Sequence, residues 1–220
     1  MFVGHYAVSL ALKKFETRAS LGMLFLGVQF VDILFFPLVL AGVERINLIE
    51  NFTDSTHFQL EYMPYTQSLL GSVVWAGAAY ALFRWVFIKD HRIALVIGLA
   101  VFSHWVLDLI VHTPDLPLWS DTSLKLGFGL WNNAIVTFTL EAVLLLGALW
   151  LYLTSTTAST KGGKYGMLVF VLLLILVNIP NIFGPFQDTG TTPLAVSALT
   201  AYFLFAAVAF WLDKKRVASK

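Results

Sequence analysis

Cysteine does not occur anywhere in these 220 residues. Its lack excludes disulfides, thiolate-held zinc and a lipidated cysteine, so any metal must sit on histidine and carboxylate, with amide oxygen, carbonyl or water as supplements. Charge is scarce too: Asp, Glu, Lys and Arg make up 12% of the chain, about half of what a soluble domain carries. Basic residues form only short loop clusters, which excludes nucleic acid as a partner. Residues 1–12 lack the basic start and small-residue cleavage site of a signal peptide, so the first full span is expected to serve as an uncleaved targeting signal. A convincing internal repeat is also missing, which argues against an inverted-repeat transporter.

Apolar residues are what the chain has in excess, at 58% and a mean hydropathy of +0.79. This composition predicts an all-α, polytopic membrane protein, a single helical domain over residues 1–220 with the lipid bilayer as its solvent. Six stretches reach the length of about 20 residues that a span needs: 20–42, 65–88, 92–112, 128–154, 165–184 and 192–212. Residues 1–12 are apolar but too short to cross. A half-helix rising from the membrane surface into the bundle fits them best, the alternative being an amphipathic helix lying on the surface.

Twelve of the 14 Lys and Arg fall on one side of this arrangement, with Arg45 and Lys125 as exceptions. By the positive-inside rule both termini are then cytoplasmic, and a bacterial inner membrane is the expected location.

Against this apolar background, His104 and Asp108 stand out. Spaced by four on one helix, they share a face that His112 extends by another turn. An ionisable residue at the centre of a span is disfavoured by about 2.5–3.5 kcal/mol, so such residues converge on one another or mark a function. Counting a rise of about 1.5 Å per residue, Asp32 and His104 lie about 18 Å from the basic surface, Glu141 about 20 Å, Asp108 about 24 Å and His5 about 12 Å, with Gln67 and His112 near 30 Å. Separate segments thus place His, Asp and Glu in one layer. Each has a plainer reading as well: an intramembrane His hydrogen-bonded to a neighbouring helix, or Glu141 paired with a Ser or Thr. His57 and His91, in loops, are expected to be solvated. A His/Asp set that leaves one position open suits zinc or a similar divalent ion, with a spare carboxylate, Glu141 or Asp32, as general base.

Four of these features occur in an order that resembles a known family. Gly4-His5, Asp32, Thr66-Gln67-Ser68-Leu69-Leu70 and Ser103-His104-x-x-x-Asp108 resemble the pattern of the YdjM-like membrane-bound metal-dependent hydrolases. The resemblance covers residues 4–112; the spans within 128–212 carry no matching motif. It implies that His5, Asp32, His104 and Asp108 are metal ligands or their immediate partners, and that a phosphoester or lipid is the substrate. Gln67 departs from the pattern, which has histidine there. A carboxamide binds zinc less well than imidazole does, so the site is assembled without that ligand, is weakened, or belongs to an inactive relative. His112 is then the nearest substitute ligand.

Three functions remain open on these residues. The first is a metal-dependent hydrolase of a lipid or lipid-linked ester or phosphoester, with metal on His5, Asp32, His104 and Asp108 and with Gln67 and His112 at the mouth. The second is a proton or cation path through Asp32, His104, Asp108 and Glu141, which the apolar inner halves Leu21–Leu26 and Ile93–Ile97 disfavour. The third is a membrane scaffold whose polar cluster fixes helix contacts.

Overall fold

The structure, a computed structural model, describes residues 1–219. Helices dominate: α1 (His5–Phe15), α2 (Leu21–Val28), α3 (Phe30–Leu40), α4 (Leu69–Leu82), α5 (His91–Val111), α6 (Ala134–Ser155), α7 (Lys161–Phe183) and α8 (Thr191–Asp213). The starts of α4 to α7 are written in the sequence as side-chain caps. Ser68 accepts from Gly71 N, Asp90 from Arg92 N and Ile93 N, Asn133 from Val136 N, and Thr160 from Gly163 N. Helix α4, continued by a π-helical turn over Phe83–Phe87, and helices α5 to α8 are each long and apolar enough to cross a bilayer; α2 and α3 pass the same test only as a bent pair, which gives five spans, or six with the pair counted as one. The chain is a polytopic helical membrane protein.

The span expected over residues 20–42 is not one continuous helix but the pair α2 and α3. It bends by 49° between α2 and α3, at Gln29, whose φ of −103° and ψ of 5° leave the helical region. At this break the Val28 carbonyl turns to accept a hydrogen bond from His104 Nδ1 at 2.7 Å. Small residues let α2 approach its neighbours: a Cβ on Gly22 would stand 2.6 Å from Phe210 Cβ of α8, and one on Gly27 3.1 Å from Ala100 Cβ of α5.

Helix α1 is the half-helix. His5, Tyr6 and Leu10 are completely enclosed, which rules out the surface-lying alternative, and the helix ends in Lys13 and Lys14. At that end of the bundle Lys13 Nζ donates to Ala19 O and to Asp213 Oδ2, both at 2.7 Å. Arg18 there bridges Glu16 and Asp90, each at 2.7 Å.

At the opposite end, the segment after α3 carries an antiparallel hairpin of β1 (Arg45–Leu48) and β2 (Phe58–Tyr62). It is a roof over the helices. Ser55 Oγ donates to Trp131 O at 2.6 Å. His57 is not simply solvated: its Nδ1 accepts from Asn51 N at 3.0 Å, and its Nε2 donates to Gly184 O, at the end of α7, at 3.2 Å. Glu44 accepts from Tyr65 N, Thr66 N and Thr66 Oγ1. Burial nevertheless pushes its carboxyl above the ordinary carboxylate range.

Candidate metal centre

Three segments deliver the site. Helix α1 brings His5, the α2–α3 break brings Asp32, and the middle of α5 brings His104 and Asp108. Gly4 explains why glycine precedes the histidine: a Cβ there would collide with Met1 Sδ and stand 3.2 Å from Glu141 Cγ. Glu141 Oε2 accepts from Gly4 N at 2.8 Å and Phe2 N at 3.2 Å. It thereby holds the start of α1, where acidic groups favour the exposed helix amides, and is not paired with a Ser or Thr.

Asp108 is the centre. Its Oδ1 is 3.1 Å from His5 Nε2 and 2.7 Å from the Met1 nitrogen, and its Oδ2 is 3.0 Å from His104 Nε2 and 3.6 Å from His112 Nε2. Asp32 Oδ1 lies 3.4 Å from His104 Nε2. The His5 and His104 rings stack at 4.0 Å with their planes 4° apart. One donor atom from each of His5, His104 and Asp108 lies within 4.8 Å of the others. These residues form a buried cluster able to coordinate a divalent metal.

The chemistry of the donors fits an ion. A carbonyl can only accept, so Val28 fixes the proton of neutral His104 on Nδ1 and turns the Nε2 lone pair toward Asp32 and Asp108. This carbonyl–imidazole arrangement is the one that orients metal-ligating histidines. Neither nitrogen of His5, nor His104 Nε2, has a hydrogen-bond partner among the described residues. Each buried polar atom left this way costs about 1–3 kcal/mol. His5 meets Asp108 through Oδ1 and His104 meets it through Oδ2, so the two imidazoles approach different oxygens of one carboxylate.

The remaining expected residues stand one step out. Gln67, in the turn before α4, donates from Nε2 to Asp32 Oδ1 at 2.9 Å, so it reaches the Asp32 layer and not only the outer boundary. Its Oε1 has no partner among the described residues. His112 caps α5, bonds Asp115 Oδ1 through Nδ1 at 2.8 Å and packs on Trp131 at 4.0 Å.

Two partners escaped the sequence reading. Tyr202 of α8 donates to Asp32 Oδ2 at 3.0 Å; its only sequence signal is a phenol inside an apolar span. The Val28 carbonyl has no sequence signal at all.

A cavity of about 310 Å³ opens beside the cluster, lined by polar Asp32, Asp108, Glu141 and His112 and by apolar Phe35 and Phe36 among others. No family model, curated protein or solved structure matches this chain.

Proposed function

We propose that this protein is a membrane-embedded, metal-dependent hydrolase that cleaves an ester or phosphoester of a lipid or lipid-linked substrate. One observation carries the reading: the unpartnered nitrogens of His5 and His104 face Asp108, which itself lines a ligand-sized cavity. The ordered motifs that resemble the YdjM-like hydrolases support the same class.

His5, His104 and Asp108 would hold the ion, zinc by the type and number of the donors, with Asp32 as their immediate partner. A zinc-type ion supplies Lewis acidity and makes water acidic enough to ionise near neutral pH. Asp32 faces the cavity with its side chain 18% exposed, steadied on one oxygen by Gln67 and on the other by Tyr202. It accepts the proton of the attacking water and returns it to the departing alkoxide as the substrate C–O or P–O bond breaks. Glu141 keeps the His5-bearing helix in place through its bonds to Phe2 N and Gly4 N.

A proton or cation path is the weaker reading. Between the cluster and the basic end, Tyr6, Leu10, Leu24, Phe25, Val28 and Ile97 are buried in one mainly apolar core, where Ser9 Oγ and the Tyr6 hydroxyl stand isolated without a hydrogen-bond partner among the described residues.

Metal analysis of the purified protein, together with turnover of chromogenic esters and phosphodiesters, tests the proposal. We expect one tightly held divalent ion per chain and activity that a chelator abolishes and zinc restores. Protein that retains no metal, or turnover indifferent to chelation, would overturn it.

A further inference from the structure

The cavity has a side opening, and its position assigns the way a substrate reaches the cluster. From above it is roofed by the β1–β2 hairpin, which contributes Ile46, Ser55, Thr56, Phe58 and Leu60 to the lining. The roof is tied down at two points, Ser55 to the Trp131 carbonyl and His57 to the Gly184 carbonyl. The lateral wall differs. Val177 and Asn181 on α7 and Ser197 on α8 line the cavity and are themselves exposed, in the hairpin-side half of two helices long and apolar enough to span a bilayer. Wall residues that stay exposed mark an opening between α7 and α8. This gap opens onto hydrocarbon.

The lining is mixed. Asp32, Asp108, Gln67 and His112 are polar, while Phe35, Phe36, Leu194 and Ala198 are apolar. A volume of about 310 Å³ is at the lower limit of ligand pockets, which run to about 1,000 Å³. A two-chain lipid does not fit inside. A polar linkage and the adjoining part of one chain do, with the rest left in the bilayer.

We propose that one apolar chain of a lipid in the hairpin-side leaflet enters sideways between α7 and α8, bringing the bond next to its polar head against the His/Asp cluster. The proposal rests on the hydrolase reading for what happens at the cluster, but not for the occupancy of the cavity.

Occupancy is measured by photolabelling. Protein stripped of metal is placed in vesicles containing a diether phosphatidylglycerol with a diazirine near the end of one chain, irradiated, and mapped by mass spectrometry. Phe35 and Phe36 are buried from the surrounding bilayer, so label on them reports a chain inside the cavity. Val73 and Val74 on the outside of α4 report ordinary boundary lipid. The expected result is label at both places in the natural chain, with loss at Phe35 and Phe36 alone in Ser197→Trp and in Val177→Trp. Both substitutions are at exposed positions, so the bundle core is untouched. Label confined to the α4 face, or label on Phe35 and Phe36 that neither tryptophan diminishes, would overturn sideways access. A labelled cavity in a protein without metal-dependent turnover would overturn the hydrolase reading and leave this one standing.

Discussion

Two buried polar clusters sit at different levels of the same bundle, and they are built on opposite principles. At the basic end Lys13, Asp213 and Tyr152 satisfy one another. The ammonium donates to Asp213 Oδ2 and Ala19 O, and Tyr152 donates to Asp213 Oδ1 at 3.0 Å. Positive meets negative, each with hydrogen bonds, and the result ties α1 and α6 to the end of α8. In the middle, His5, His104, Asp32 and Asp108 bring two carboxylates and two imidazoles together and leave nitrogen lone pairs without hydrogens to accept. The first cluster is complete as it stands. The second has the Met1 ammonium 2.7 Å from Asp108 Oδ1 and still leaves both His5 nitrogens and His104 Nε2 without a hydrogen-bond partner among the described residues, lone pairs that a bound metal ion would take up. Burial alone therefore does not separate a structural polar group from a functional one; the balance of donors and acceptors does.

The largest effect comes from breaking the satisfied cluster. Lys13 and Asp213 have side chains only 8% and 12% exposed, so Lys13→Met leaves a nearly buried carboxylate without its cation. We expect a loss of about 3–5 kcal/mol in unfolding free energy, as for other buried pairs stripped of one partner. Metal content should not change. Reversible denaturation in detergent measures the loss, and one under about 1 kcal/mol would class the pair with surface ion pairs.

Asp108→Asn is the counterpart in the middle cluster. It removes the one group within reach of both His5 and His104. Metal affinity should fall by more than about 100-fold, the upper range for losing a mere outer partner. The thermal stabilisation that added zinc gives the natural chain should vanish with it, since a ligand stabilises only by binding the folded state. Equal zinc-induced shifts in melting temperature for the two proteins would remove Asp108 from the metal site.

Smaller changes come from the residues that steady Asp32. Tyr202→Phe deletes a hydrogen bond to Oδ2 and should lower metal affinity about tenfold, the lower range for an outer partner. Gln67→His should act in the other direction. It puts an imidazole where a carboxamide now contacts Asp32, and imidazole is the better zinc donor. Isothermal titration with zinc reads both, and the same sign for the two would break the assignment.

The contrast between these residues also explains what was legible beforehand. His104 and Asp108 announced themselves because a shared helix face is a matter of spacing, and the spans because hydrocarbon thickness fixes their length. Asp32 and His5 could be matched by depth, although His5 came out low by that count. Bends and close approaches were not visible. The break at Gln29 is set by contacts of α2 with α5 and α8. The Val28 carbonyl, which fixes the tautomer of His104, belongs to a backbone that carries no residue code. The hairpin was hidden because Arg45–Leu48 and Phe58–Tyr62 are short, and their pairing closes across a polar loop.

Acid should separate the basic end from the middle by a different route, with the smallest effect. Arg18 chelates Glu16 through Nε and Nη2 and reaches Asp90 through Nη1, clamping the α1–α2 turn to the start of α5. Its hydrogen bonds hold the Glu16 carboxyl below the ordinary value of 4.5. Asp90 is held below 3.8, by the Ile93 amide first and Arg18 next. A carboxyl whose folded pKa is depressed adds stability that is whole above its unfolded value and is lost as pH falls through the folded one. Unfolding midpoints of the natural chain and of Arg18→Gln should therefore differ at neutral pH and converge between about pH 5 and pH 3. Solvent around the half-exposed guanidinium keeps the difference small. Because the clamp holds no metal, the convergence should be the same with zinc or with chelator. A gap between the two proteins that stays constant with pH would mean that Arg18 acts through contact alone and not through its charge.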